Sequence, residues 1–187
     1  AHNARTLKDR NIEESDQYKR TLAILESKDK IPYIVKKDGK KYYNFWTDDE
    51  HVRGLWRRCT WDEYVEGGKK NDSGEVVNIP WEILLDVDAL GKAEGESWVW
   101  GGSRVLEPDR DRALVFLSRG GADAQVVREY DLINKRFVPP EDQPFVLPEA
   151  KSRVSWKDRD TLFVGTKFPG EKQDGLTDSG SVFRYMK

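Results

Sequence analysis

Three charged turns precede three apolar runs. Lys36-Lys37-Asp38-Gly39-Lys40-Lys41 leads into Tyr42-Tyr43-Asn44-Phe45-Trp46. Pro108-Asp109-Arg110-Asp111-Arg112 leads into Ala113-Leu114-Val115-Phe116-Leu117, and Lys157-Asp158-Arg159-Asp160 leads into Thr161-Leu162-Phe163-Val164. In each, a charged turn follows one strand-like run and feeds a second. A similar third run comes later in each unit: Leu55-Trp56-Arg57-Arg58, Val126-Val127-Arg128-Glu129-Tyr130 and Val182-Phe183-Arg184-Tyr185. Asp38 and Asp109 lie 71 positions apart, and so do Leu55 and Val126; from the second unit to the third the offsets are 49 (Asp109 to Asp158) and 56 (Val126 to Val182). Three units of about fifty residues, each with three or four strands, match the repeat length of propeller blades. A plain antiparallel sandwich with coincidental spacing is the competing reading. Expected fourth strands are Glu82–Asp86 and Arg136–Val138; the third unit reaches the end of the sequence before one.

Outward from these units, the strand pattern predicts Tyr33–Lys36, Lys41–Thr47, Gly54–Thr60, Ser97–Trp100, Ala113–Ser118, Gln125–Asp131, Arg153–Trp156, Thr161–Thr166 and Ser181–Met186. Asp38-Gly39 is a hairpin signal, because glycine accepts the positive φ the turn needs. Gly120-Gly121 reads as another turn, Gly67–Gly74 as a polar loop, and Pro139-Pro140 with Pro144–Pro148 as a stiff connection. Before the strands, Asn3–Ser27 has no Pro or Gly and reads as an interrupted helix or a helix pair, with Tyr18, Leu22 and Leu25 as its stripe. Ser15 or Asp16 is the expected cap of its second half. The expected organisation is a helical segment over 1–29 and a mainly β, partial propeller over 30–187.

Composition narrows the function classes. The chain has 187 residues, 35% charged, with mean hydropathy −0.80. Seven each of Trp, Tyr and Phe argue for a folded core, since disordered chains are poor in aromatics. Basic residues number 32 and acidic 34, for a net charge of −2, which disfavours nucleic acid and anionic membranes as partners. The longest apolar run is five residues, Ala113–Leu117, too short for a membrane helix. One cysteine, Cys59, makes no internal disulfide, and only His2 and His51 could serve as imidazole bases or ligands. Position 1 is Ala, not Met.

Individual motifs point mostly to structural roles. Asp86-Val87-Asp88 opens like a calcium loop, but Leu90 and Ser97 fall where that loop needs ligands, and no metal or cofactor site is expected. Cys59 beside Arg57 and Arg58 is a candidate reactive thiol, though a small core residue is the plainer reading. Asp48-Asp49-Glu50 and Asp62-Glu63 supply carboxylate pairs of the kind glycosidases use, and the tryptophans would suit a sugar cleft. In a chain so rich in acids, such pairs arise by chance. Trp46, Trp56, Trp98, Trp100, Phe116, Trp156 and Phe163 are expected mostly between sheets. Asn71-Asp72-Ser73 matches a glycosylation acceptor. No glycine-rich phosphate loop is present.

Several longer strings resemble bacterial serine peptidases of the prolyl oligopeptidase family: Tyr42–Asp48, His51–Arg58, Trp81–Leu90, Leu117–Ala124 and Lys151–Trp156, with Asn3–Thr6 like the helix that precedes their propeller. The resemblance covers nearly the whole chain. It implies a seven-bladed propeller that caps an α/β-hydrolase domain, admits oligopeptides and leaves cleavage after proline to a Ser-Asp-His triad. That triad needs a Gly-x-Ser-x-Gly elbow, and no such string occurs here; Gly101-Gly102-Ser103-Arg104 and Asp178-Ser179-Gly180-Ser181 come nearest. No catalytic residue is therefore assigned, and the chain alone is expected to be inactive. About three blades fit in residues 30–187, against roughly 300 residues for a closed ring, so the chain reads as a piece of a longer protein, cytoplasmic or periplasmic. The expected partners are an oligopeptide substrate and a missing hydrolase domain, with self-association through open blade edges. A stand-alone scaffold module is the alternative.

Overall fold

A computed structural model describes residues 11–25, 31–69, 73–74, 77–166 and 182–186, the last five and residue 25 by their backbone only. Antiparallel strands form three sheets. Sheet 1 is a meander of β1 (Lys36–Asp38), β2 (Lys41–Trp46), β3 (Leu55–Thr60) and β4 (Glu82–Asp86). Sheet 2 runs β5 (Trp98–Val105), β6 (Arg112–Arg119), β7 (Gln125–Asp131) and β8 (Arg136–Phe137), with β9 (Val146–Ala150) also on β7. Sheet 3 is β10 (Arg153–Asp158), β11 (Thr161–Thr166) and β12 (Val182–Met186). Each sequence unit is thus one sheet, as a blade reading requires.

The hairpin at the first charged turn closes on Asp38 opposite Lys41, leaving Gly39-Lys40 as its two loop residues. Gly39 has φ +58°, the left-handed region that glycine tolerates best. Near the N-terminus, a 3-10 turn (Ile12–Glu14) precedes helix α1 (Asp16–Leu25). Ser15 caps this helix: its Oγ accepts from the Tyr18 N–H. Tyr18 and Leu22, two members of the expected stripe, are exposed on α1.

Four features depart from the sequence expectation. The strand expected at Tyr33–Lys36 lies instead at Lys36–Asp38, running up to the Gly39-Lys40 turn and paired with β2. The strand expected at Ser97–Trp100 continues to Val105, because a bulge between Trp100 and Gly102 carries the ladder through the two glycines. The Pro144–Pro148 connection contains β9; Pro148 sits on the outermost strand, at a register shift against β7, where a missing N–H costs little. Two short helices also appear. Helix α2 (Trp61–Glu66) starts from a capping box in which Thr60 and Glu63 exchange side-chain and backbone bonds. Helix α3 (Val87–Glu94) starts from Asp86, whose Oδ1 accepts from the Ala89 N–H, and stops at Gly95.

The sheets face one another across two cores. Tyr43, Trp56 and Leu85 of sheet 1 meet Val105, Val115, Leu117 and Tyr130 of sheet 2. Trp56, 1% exposed, lies against Tyr43, Trp100 and Tyr130 with ring centroids 5.8, 5.2 and 5.6 Å away. Polar bonds cross the same seam. Arg58 donates to the Leu132 carbonyl at 3.1 Å while pairing with Glu82, and the Tyr130 hydroxyl donates to the Leu84 carbonyl. The second core joins Leu114, Phe116 and Val127 of sheet 2 to Val154, Leu162 and Val164 of sheet 3, with Leu147 from β9. Of the expected core aromatics, Trp56, Trp98 and Phe116 are buried, Trp46, Trp100 and Trp156 are half-buried, and Phe163 is exposed.

Trp56→Ala empties the centre of the first seam. Truncations of this size typically cost ~3–5 kcal/mol. The variant is expected to lose about that much unfolding free energy in urea titrations followed by circular dichroism, and a loss near zero would show that the two sheets do not depend on each other.

Candidate functional site

The first strands of the three sheets, β1, β5 and β10, come together at one cleft of about 430 Å³, lined by Lys36, Ser103, Arg104, Glu107, Ser155 and Lys157. Val105 and Trp156, which also pack into the two cores, complete the lining. The wall carries three cations, Lys36, Arg104 and Lys157, against one acid, Glu107.

The charged turns beside this cleft are linked from sheet to sheet. Arg110, in the β5–β6 turn, donates from Nε to Asp38 Oδ1 at 2.7 Å and reaches Glu107 at 2.8 Å. Arg159, in the β10–β11 turn, pairs with Asp111 at 2.6 Å and with Asp109 at 3.0 Å. An arginine from one turn therefore grips an aspartate of the preceding turn, twice. The two links differ in setting. The Asp38 side chain is 0% exposed, whereas those of Asp109 and Asp111 are 47% and 28% exposed. Asp38 Oδ2 has no hydrogen-bond partner. Burial pushes the Asp38 carboxyl above its ordinary range; Glu107 adds to the rise and Arg110 opposes it.

A larger cleft of about 620 Å³ opens between sheets 2 and 3. Two of its cations are matched, Arg112 with Glu129 at 3.0 Å and Arg159 with Asp111 at 2.6 Å, and Asp142 and Asp160 complete its charged lining.

The residues weighed from sequence are mostly spent on structure. Asp86 caps α3, and Asp88 Oδ2 accepts from the Arg53 and Gly54 N–H groups; both would-be calcium ligands hold backbone instead. Glu63 closes the capping box. Asp48 Oδ1 accepts from the Glu50 and His51 N–H groups and meets the His51 ring at 2.9 Å, while Oδ2 accepts from the Trp46 indole. Partial burial works against ionisation of Asp48, but these donors outweigh it and hold the carboxyl at about 2. No group of three His, Cys, Asp or Glu side chains among the described residues is placed to hold a metal. His2 and the Asn71-Asp72 part of the acceptor motif lie outside the described residues. Cys59 is buried, and burial followed by the field of Glu63 pushes its thiol up to about 11, with Arg57 and Lys41 too weak to reverse the shift.

Sequence reasoning missed two arrangements. One is the turn-to-turn arginine pairing, whose signal was the repeated Asp-Arg-Asp of 109–111 and 158–160. The other is Arg57, whose guanidinium lies between the Trp46 and Trp81 rings, 4.6 and 4.5 Å from their centroids. Nothing in the local sequence pointed to it, because Trp81 is brought in from beyond a long polar loop.

Three sheets of successive antiparallel strands, joined face to face with their first strands at a shared cleft, define a propeller-type arrangement. Residues 4–185 match the family model of the prolyl oligopeptidase N-terminal β-propeller domain, and the chain belongs to that family. It is 43% identical over 165 residues to an uncharacterized peptidase of Sinorhizobium fredii, covering 87% of this chain and 20% of that protein. It is 32% identical over 177 residues to an uncharacterized peptidase of Rickettsia prowazekii, covering 90% of this chain and 23% of that protein. The chain thus spans about a fifth of the length of these curated relatives. A solved post-proline cleaving enzyme from Rickettsia typhi superposes with a TM-score of 0.66 at 25% identity, over 95% of this chain and 27% of that one. A prolyl endopeptidase structure with 14% identity and a TM-score of 0.51 shares the fold.

Two measurements check the electrostatics. Arg110→Met leaves the buried Asp38 carboxylate without its cation, while Arg159→Met uncovers only carboxylates that water reaches. The urea midpoint is expected to fall clearly more for Arg110→Met than for Arg159→Met; equal losses would remove the distinction. Cys59, with a thiol that ionises near pH 11, is expected to resist an aromatic disulfide reagent at pH 8 in the folded chain and to react promptly in guanidinium. Fast modification of the folded protein would show an accessible thiolate.

Proposed function

We propose that this chain is the gating portion of a prolyl oligopeptidase-like serine peptidase, a propeller fragment that limits which peptides reach a Ser-Asp-His centre carried elsewhere in the longer protein. The convergence of β1, β5 and β10 on one cleft with charged walls carries this reading, since in a closed ring the first strands would wall a central passage. The family match and the likeness to a post-proline cleaving enzyme support oligopeptides as the substrate class and cleavage after proline as the parent reaction. The absence of a Gly-x-Ser-x-Gly string supports an inactive chain in isolation. Residues 1–29 are then a helical lead-in and 30–187 the gating piece. No described helix is long and apolar enough to cross a membrane.

A second reading, a binding module that self-associates, is favoured by one observation: Ile31, Tyr33, Val35 and Trp61 stand exposed about the first sheet, which such a surface would bring to a partner. Light scattering at high concentration separates the two, since self-association predicts a dimer.

The gating reading is tested in the longer peptidase that contains this segment. Ser103→Trp and Ser155→Trp narrow the cleft wall without touching a triad. They are expected to lower kcat/KM severalfold for a proline-containing decapeptide and to leave a chromogenic Gly-Pro dipeptide substrate unaffected. Equal losses on both, or none, would count against a gate. The isolated chain is expected to release no chromophore from the Gly-Pro substrate.

A further inference from the structure

A groove of about 270 Å³ lies between sheets 2 and 3 at the β5 bulge. Ser103 and Arg104 of β5, Gln125 of β7, and Ser152 and Arg153 at the start of β10 form its polar wall. Phe116 and Val154 are its only apolar side chains, and no lining residue is acidic. Both sheets that build the groove belong to this chain. The Trp156 indole donates to the Arg104 carbonyl at 2.8 Å and so holds β10 against β5 beside it.

The two arginines differ from others of these sheets. Arg112, Arg119, Arg128 and Arg159 each meet a carboxylate at 3.0 Å or less. Arg104 and Arg153 are exposed, and neither has a carboxylate within 4.0 Å among the described residues. Arg104 lies 5.8 Å from the centroid of the Phe116 ring, a contact that uses none of its N–H donors.

Two glycines shape the groove. A Cβ at Gly101 would overlap the Gln125 amide nitrogen, so glycine there leaves room for that amide over β5. Gly102 has φ +122°, a conformation that glycine tolerates, and no side chain of either residue fills the space. In the same wall the Ser152 hydroxyl oxygen is buried without a hydrogen-bond partner, a state that native structures seldom leave unmet.

We propose that this groove binds a tetrahedral dianion of the phosphate class, held by Arg104 from sheet 2 and Arg153 from sheet 3, with the Gln125 amide and a serine hydroxyl as neutral donors. Two guanidinium groups with no acid in the lining carry two uncompensated positive charges, which a dianion matches and a single carboxylate meets by half. The donors come from three strands, whereas one arginine fork already serves a planar carboxylate. Two apolar side chains are too few to seat an aliphatic or aromatic group. The bound ion would bridge sheets 2 and 3. The inference does not rest on the gating role.

The test uses the full 187-residue chain, 15N-labelled, at pH 8. Sodium phosphate replaces sodium chloride at constant ionic strength, which holds the screening of these exposed charges fixed. The Gly101 and Gly102 amide resonances and the Gln125 side-chain amide, identified by its loss in Gln125→Glu, are followed. Phosphate is expected to give a saturable shift at a concentration at least about tenfold below acetate, and Arg104→Gln or Arg153→Gln to weaken it about tenfold, the cost of one lost charged hydrogen bond. Arg136→Gln removes the same charge at an exposed site outside the groove and is expected to bind as the unsubstituted chain does. No saturable shift with phosphate, equal half-saturation by acetate, or an equal loss in Arg136→Gln would overturn the proposal. If an arginine variant does not fold, the comparison of phosphate with acetate in the unsubstituted chain decides.

Discussion

Alternate side chains of β6 enter two different cores. Ala113, Val115 and Leu117 pack with sheet 1, while Leu114 and Phe116 pack with sheet 3. A strand buried on both faces has no room for polar alternation, which is why the longest apolar run of a very polar chain falls here. Everything else follows from that constraint. Sheets 1 and 3 are held apart by the thickness of sheet 2 and aligned by its two faces. The first strands of all three then lie side by side, and the cleft they share is a consequence of the packing.

Burial alone sets the spacing of the sheets but not their angle, because apolar contact has no direction. Directional bonds supply that. The Arg58 guanidinium reaches across the first seam to Leu132, and Tyr130 reaches back to Leu84. At the inner end, Arg110 and Arg159 link successive turns. The two turn pairs differ in energetic weight despite their similar geometry. Asp38 is sealed from water and depends on its arginine, whereas the partners of Arg159 keep access to solvent and depend on it weakly. The repeat therefore conserves a gesture whose strength varies along the chain.

The fold was legible where the periodicity was clean. Glu82–Asp86, Gln125–Asp131 and Thr161–Thr166 fall where the alternation and turn signals put them. It was less legible where a residue's local preference was overruled by its neighbours. Gly101-Gly102 signals a break, yet a bulge absorbs it; Pro148 signals a connection, yet an outer strand needs no N–H from it. Helix α3 contains Val87, Asp88 and Gly91, weak helix formers, and forms because Asp86 caps its start. The site was harder to read than the fold, since it depends on Trp46 and Trp81 each reaching the Arg57 guanidinium from a different part of the chain, contacts that no spacing encodes.

Arg57 and Arg58 are neighbours on β3, yet alternation sends them to opposite faces of sheet 1. Arg58 faces sheet 2, where Glu82 and the Leu132 carbonyl satisfy it. Arg57 faces the side that no other described sheet covers, and there its environment is half complete: two aromatic walls, an oriented amide and no anion. The ring faces add about 0.5–2 kcal/mol to such a cation, and its Nε–H is spent on Asn44. The two faces of the same strand thus separate two tasks. The arginine that meets a carboxylate fastens one sheet to the next, and its neighbour, held by an amide and two ring faces, stays on the side that no other described sheet covers.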